Sequence, residues 1–349
     1  MKLVKKNYKN AFSWRSNPFN FSIIPELFTG YNEELENAID GIENGEKIIM
    51  LLGPTGSGKT TFLRFLAKKI GKDAFYVPKL PKNSDELVEI FKSFLGFGFF
   101  DKIIKKKITL YDLGAWANKK TKNKKIILLI DEAHEASLDT LEWLRTLTDQ
   151  IENLSIVIAG LPVLENMLKN NLETFMKRVN IKIELVNLSL PETRELIKKR
   201  IEWVGGEDIK PFTSETIKLI YEKSGGFPRE VIRMCNELVN KALEKNLSVI
   251  DTDFLGEIRQ PKITVSSLNN LPQRQRDILE ILSKYGEMTP SEIISHINTD
   301  SYKDQDNAIR SINNILKRLL SSGFVVRSAV GKTYYYKISD KIKTMLVNT

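Results

Sequence analysis

Lys59 and Thr60 close the run Gly53-Pro54-Thr55-Gly56-Ser57-Gly58-Lys59-Thr60, a complete P-loop pattern, and the chemistry of that pattern is phosphate binding. Glycines at 53, 56 and 58 let the backbone take positive φ and turn its N–H groups inward around phosphate oxygens, and the start of the following helix adds positive charge. The lysine of such a loop reaches the β- and γ-phosphates, and the hydroxyl after it ligates Mg²⁺. The loop backbone, Lys59, Thr60 and Thr61 are therefore the expected contacts to ATP. A second constellation is Asp131-Glu132, two acids at the end of the apolar run 126–130. Asp131 is placed to hold Mg²⁺ together with Thr60, and Glu132, one residue on, to orient and deprotonate an attacking water.

Such groups work only if rigid elements hold them. Ile48 to Leu52 reads as a buried strand before the loop, and Thr61 to Ile70 as the amphipathic helix after it. The run Ile126 to Ile130 is continuously β-branched or leucine, as in a parallel strand buried on both faces. A helix is expected over 139–148 and a third strand over Leu154 to Gly160, so the fold class is α/β, a three-layer parallel sheet. His134 completes the letters Asp-Glu-Ala-His of a helicase motif. Too little chain follows before the next helical region for a second helicase domain, so His134 is expected to cap or pack near the turn.

The chain has 349 residues, 42% of them hydrophobic, enough for two or three cores. Lys plus Arg outnumber Asp plus Glu by 53 to 44, a balance that permits a polyanionic partner and equally suits a lysine-rich surface. The single cysteine, Cys235, excludes an internal disulfide and reads as a buried packing residue. No apolar run is long enough for a membrane span and the Met1 to Lys6 start lacks a signal-peptide core, so a cytoplasmic setting without membrane partners is expected. Lys102 to Lys125 holds nine lysines with Asp112 as its acid, a stretch read as a solvated helix and loop beside the alternative of a DNA-contacting insert.

From Gln273 the pattern changes. Apolar residues at 278, 279, 281 and 282 mark one helix, Thr289-Pro290-Ser291-Glu292 a second helix start, and Ile309, Ile312, Ile315, Leu316 and Leu319 a third helix over 306–320. Phe324 to Arg327 and Thr333 to Ile338 flank a turn at Gly331, so three helices and a ribbon predict a winged helix-turn-helix. From Arg310 to the end there are eight Lys or Arg and one acid, Asp340. Arg310, Asn314, Lys317 and Arg318 are the candidates for the major groove or phosphates of double-stranded DNA, and Arg327 and Lys332 for backbone contact from the wing.

Two segments carry a family resemblance: Ile158 to Leu164 with Phe175-Met176-Lys177-Arg178-Val179, and Leu188 to Thr193 with Ser224-Gly225-Gly226-Phe227-Pro228-Arg229. With Asn17-Pro18-Phe19 they resemble the AAA+ branch that contains the ExeA-type and TniB/MuB transposition ATPases and the archaeal and eukaryotic origin-recognition initiators. The resemblance covers about residues 17–245 and implies an ATPase base at 17–186 and a helical lid at 187–245. A linker at 246–265 and the winged helix at 266–349 follow. It further implies that Arg229 is the arginine by which the lid senses the γ-phosphate, and that Arg178 is the finger completing a neighbour's site in a homo-oligomer. The family's polar sensor at the end of the third strand has no counterpart in Ala159-Gly160-Leu161-Pro162, so slow hydrolysis is expected. The expected function is that of an ATP-switched, DNA-binding initiator ATPase, with other replication proteins as further partners. Two alternatives stay open: a transposition or secretion-type remodelling ATPase, and a STAND-type signalling NTPase whose winged helix docks onto its own chain.

Overall fold

A computed structural model of the chain describes residues 8–96, 108–122, 124–253, 271–297, 305–321, 323–330 and 333–339. They fall into two compact units, Ile23–Leu185 and a second one made of the N-terminal segment up to Ser22 with everything from Val186 onward.

The first unit is the base. Its elements are α1 (Asn32–Glu43), β1 (Ile48–Leu52), α2 (Lys59–Ile70), β2 (Ala74–Val77), α3 (Leu87–Leu95), α4 (Leu110–Thr121) and β3 (Ile126–Ile130), then α5 (Leu138–Gln150), β4 (Leu154–Gly160), α6 (Val163–Asn171), α7 (Glu173–Met176) and β5 (Val179–Glu184). The strands form one five-stranded sheet in the order β2-β3-β4-β1-β5, every pair parallel. All residues of β1, β3 and β4 are buried, which is why their sequences are continuously apolar instead of alternating. One face packs Met50, Leu128 and Ile156 against Leu113, Leu144 and Phe91 of the helices. On the other, α1 comes so close that a Cβ on Gly41 would lie 2.5 Å from Ile181. The register pairs Leu52 with Gly160 and Ile130 with Ile158, so the carboxyl ends of β1, β3 and β4 lie side by side. In open parallel sheets that edge is where ligands bind.

The lysine-rich stretch is only partly a solvated surface. Thr109 and Asp112 form a reciprocal capping box at the start of α4, and Leu110, Leu113 and Ala117 are buried in the base core. The lone acid of that stretch is thus a helix-start device, and of the lysines of α4 Lys119 is exposed while Lys120 lies over the Trp116 ring. Phe91 is buried and Phe94 stacks on Phe75 at 4.2 Å, so these two aromatics belong to the core. Phe97, Phe99, Phe100 and Lys102 to Lys107 lie outside the described residues.

The second unit holds α8 (Leu190–Trp203), α9 (Ser214–Ser224) and α10 (Pro228–Glu244), followed by α11 (Gln273–Tyr285), α12 (Pro290–Ile294), α13 (Gln305–Ser321), β6 (Val325–Val330) and β7 (Thr333–Ile338). Residues 8–22 pack here. The Arg200 guanidinium donates to the carbonyls of Pro18 and Asn20 at 2.8 and 3.1 Å, Asn17 donates to Asn236 at 2.7 Å, and Trp14 and Phe19 are buried. The turn between α9 and α10 requires glycine: Gly226 has φ +74°, and a Cβ there would lie 2.1 Å from the Leu188 carbonyl oxygen. Pro228 opens α10 in the first helical turn, where its missing N–H costs nothing, and Arg229 follows it.

Helices α11 to α13 and the β6–β7 hairpin share one core, including Ile278, Leu282, Ile293, Ile312, Leu316, Phe324 and Tyr336. A capping box between Thr289 and Glu292 starts α12, and Met288 pairs in antiparallel fashion with Tyr336, adding a third strand position to the hairpin. The element order is that expected of a winged helix. Among the described residues no helix is long and apolar enough to cross a membrane.

Candidate nucleotide site

β1 ends at Leu52, and the chain turns through Gly53 to Gly58 before α2 starts at Lys59. Gly56 and Gly58 hold φ of +84° and +101°, the conformation that glycine alone adopts without steric cost. Gly53 is excluded from carrying a side chain for a second reason. A Cβ there would lie 2.5 Å from Ser57 Oγ and 3.0 Å from the Leu185 carbonyl oxygen. The loop is also tied from outside, because the buried Tyr31 hydroxyl donates to the Ser57 carbonyl at 3.0 Å. Lys59 is only 6% exposed, and its ammonium donates to the carbonyls of Gly53 and Pro54 at 2.8 and 3.1 Å. Burial pushes its pKa down, opposed by the charges of Glu132 and Asp131. A buried ammonium curled inside a loop of small residues, with the buried Ser57 hydroxyl lacking a partner, is a cradle for an anion.

β3 delivers Asp131 to the neighbouring position. Its carboxylate is 2% exposed and fully engaged: Oδ2 accepts from Thr60 Oγ1 at 2.6 Å and from the Tyr76 hydroxyl at 3.0 Å, and Oδ1 accepts from the Glu132 N–H at 3.0 Å. Thr60 and Asp131, far apart in sequence, are thereby hydrogen-bonded to one another. A hard oxygen donor pair of this kind beside an anion cradle fits a hydrated divalent cation such as Mg²⁺. Glu132 lies just beyond, in the left-handed region at φ +50°, where few residues other than glycine are found. Its carboxylate is 43% exposed, within reach of solvent water.

His134 packs beside this pair. Its Nδ1 lies 3.5 Å from Glu132 Oε2 and accepts from the Leu161 N–H at 3.5 Å, so it links the end of β3 to the end of β4. Burial holds its pKa below the usual value, partly offset by Glu132 and Glu135. The helix after it starts at Leu138, capped by the Ser137 hydroxyl, which accepts from the Thr140 N–H at 3.1 Å. Sequence reasoning placed Lys59, Thr60, Asp131 and Glu132 but passed over Tyr76, because β2 is only four residues long and mostly half-buried, too short a run to stand out as a strand.

The remaining residues lie apart from this cluster or outside the base. Arg178, on the base after α7, makes a bidentate pair with Asp149, Nε to Oδ1 at 2.9 Å and Nη2 to Oδ2 at 2.8 Å, and donates to the Thr174 carbonyl. Arg229 belongs to the second unit, where its guanidinium stands 5.7 Å from the Phe21 ring centre. On α13, Arg310, Asn314 and Lys317 are exposed and Arg318 is half-buried, on the side away from Ile312, Ile315, Leu316 and Leu319. Arg327 is exposed on β6 and stacks over Tyr334 at 4.2 Å. Lys332 lies outside the described residues.

Residues 42–168, from the end of α1 to α6, match the AAA domain family. The matched segment holds the loop, Asp131 and Glu132, so the likeness to that family lies in the base. The chain is 27% identical over 239 residues to an uncharacterized HTH-type transcriptional regulator of Methanocaldococcus jannaschii, covering 65% of this chain and 56% of that one. It is also 27% identical over 257 residues to General secretion pathway protein A of Aeromonas hydrophila, covering 68% of this chain and 45% of that one. The chain thus spans about half the length of the curated relatives it matches. Among solved structures, the ORC2 protein of Aeropyrum pernix in ADPNP and ADP complexes aligns over 97% of this chain and 98% of its own, with TM-score 0.59 and 16% identity. At that identity the likeness is one of fold.

Proposed function

We propose that this chain is an ATP-dependent DNA-binding ATPase of the initiator type. The observation that carries the nucleotide half is the buried Thr60–Asp131 hydrogen bond beside the curled Lys59 ammonium, because it joins two distant motifs into one site. ATP is the substrate. The N–H groups of the loop from Gly53 to Gly58, with Pro54, Thr55 and Ser57 between the glycines, cradle its phosphates; Lys59 gives up the Gly53 and Pro54 carbonyls for phosphate oxygens, and Thr61 continues the helix start. Thr60 and Asp131 would hold Mg²⁺, which would supply neutralisation of phosphate charge. Glu132 accepts a proton from water as the water oxygen bonds to the γ-phosphorus and the bond to the ADP oxygen breaks, leaving ADP and phosphate. Arg229 within the chain, and Arg178 from a neighbouring copy, supply charge stabilisation to the transferring group. The Arg178–Asp149 pair must open for the second role.

The DNA half rests on Arg310, Asn314 and Lys317 sharing the exposed side of α13, with Arg318 beside them and Arg327 on the wing. Lys332 is assigned to the same wing from the sequence. Cations in that arrangement suit a phosphate backbone and major groove. Relatives supply support of the same kind: the matching Methanocaldococcus protein is described as an HTH-type regulator, and the fold neighbour is an ORC2 protein. The test is duplex binding by the full chain, with and without ATP, between about 50 and about 200 mM salt. The proposal expects binding that weakens steeply with salt and differs with nucleotide. Absence of binding at the low-salt end would remove the DNA half.

A second reading has a specific observation behind it, the match to General secretion pathway protein A. In that case the nucleotide site drives remodelling of a protein partner, and ATP binding and turnover persist without duplex binding.

A further inference from the structure

Tyr76 is a side-chain partner of Asp131 that no P-loop or acid-strand pattern accounts for. It sits on β2, whose register places it beside Leu129 of β3, and its hydroxyl reaches Asp131 Oδ2 at 3.0 Å. The Arg64 guanidinium, from α2, lies 5.0 Å from the Tyr76 ring centre and also acts on the hydroxyl. A carboxylate oxygen offers two lone-pair sites. Thr60 and Tyr76 together fill both on Oδ2, and the Glu132 N–H takes one on Oδ1, leaving a single acceptor position on a buried carboxylate.

We propose that Tyr76 is a positioning residue for the metal-holding carboxylate, saturating Asp131 Oδ2 so that the free lone pair of Oδ1 alone is presented to the hydrated cation. The inference rests on the assignment of Thr60 and Asp131 to Mg²⁺ made above. Groups that orient a metal-holding side chain contribute to affinity almost as its own atoms do. The ring is half-buried, so phenylalanine fills the same space while removing the hydroxyl and what it donates to Asp131.

The experiment is equilibrium binding of a fluorescent ATP analogue to the full chain, in excess EDTA and in excess Mg²⁺, for wild type, Tyr76→Phe and Arg64→Met. The quantity read is the ratio of the two affinities. Tyr76→Phe is expected to reduce that ratio about tenfold and to leave the EDTA affinity unchanged. Arg64→Met, which keeps the hydroxyl, is expected to leave the ratio within twofold of wild type even if thermal stability falls. An unchanged ratio in Tyr76→Phe would overturn the proposal, and so would an equal loss in both variants, since ring packing would then be the cause. If wild type binds the analogue with no gain from Mg²⁺, the assignment of Thr60 and Asp131 to the metal fails as well, a result distinct from a gain that Tyr76→Phe does not alter.

Discussion

The candidate nucleotide site of the base and the basic side of the C-terminal module, both proposed above to meet phosphate, are built in opposite ways. In the base, Lys59 and Asp131 are 6% and 2% exposed, and every polar atom of Asp131 but one acceptor position has a named partner. On α13 and the wing, Arg310, Lys317 and Arg327 are exposed, and Arg327 rests on a tyrosine ring. The contrast follows from the chemistry asked of each. Bond-breaking needs donors and acceptors fixed in a low-dielectric setting before the reaction, whereas holding a phosphate backbone needs charge that can adjust along it. Substitutions in the base should therefore act steeply and singly, and those on the basic side shallowly and additively.

The steepest effect is expected at Glu132. Glu132→Gln keeps size and polarity but cannot take a proton, and turnover should fall by about 10² to 10⁴ while ATP affinity is retained. Phosphate release together with nucleotide binding measures both parts, and a variant that hydrolyses at the wild-type rate would remove Glu132 from its role. Lys59→Ala comes next, removing a buried charge that meets phosphate. ATP affinity should weaken by about 3 kcal/mol, more than a hundredfold, by calorimetry.

The basic side should respond more gently. Combined Arg310→Ala and Lys317→Ala should weaken duplex binding and lower the slope of log affinity against log salt by about one for each cation removed, with ATP binding unaffected. A slope that does not change would place the DNA contact elsewhere. The smallest effect concerns His134. Its folded pKa lies below the usual 6.5, so folding resists its protonation and stability is full above that value. As pH falls below about 6.5 the unfolded chain binds the extra proton first and stability declines. His134→Gln should show a shallower loss of melting temperature from pH 7 to pH 5 than wild type, and an identical loss would mean that His134 is not a contributor.

The base was readable from sequence where the same residues served packing and chemistry. β1, β3 and β4 are buried on both faces and so announce themselves as apolar runs, and the loop and acid pair sit at their ends, where the sheet edge must lie. β2 is only partly buried, which hid Tyr76 with it. The lysine count over 102–125 masked an amphipathic helix, because Leu110, Leu113 and Ala117 are the minority that decide where α4 packs. Arg178 shows a different limit: sequence identifies a guanidinium, and only coordinates show that Asp149 binds both its arms. In the C-terminal module the helices were legible from their apolar spacing, but an exposed cation carries no mark of its partner.

ATP binding followed by a single round of hydrolysis, read on one sample of the full chain with Mg²⁺ for wild type and Glu132→Gln, tests the central claim most directly. The account predicts that both retain nucleotide at comparable affinity and that wild type alone converts it to ADP and phosphate. Failure of the wild type to bind ATP at millimolar concentration, or conversion by Glu132→Gln as fast as by wild type, would contradict it.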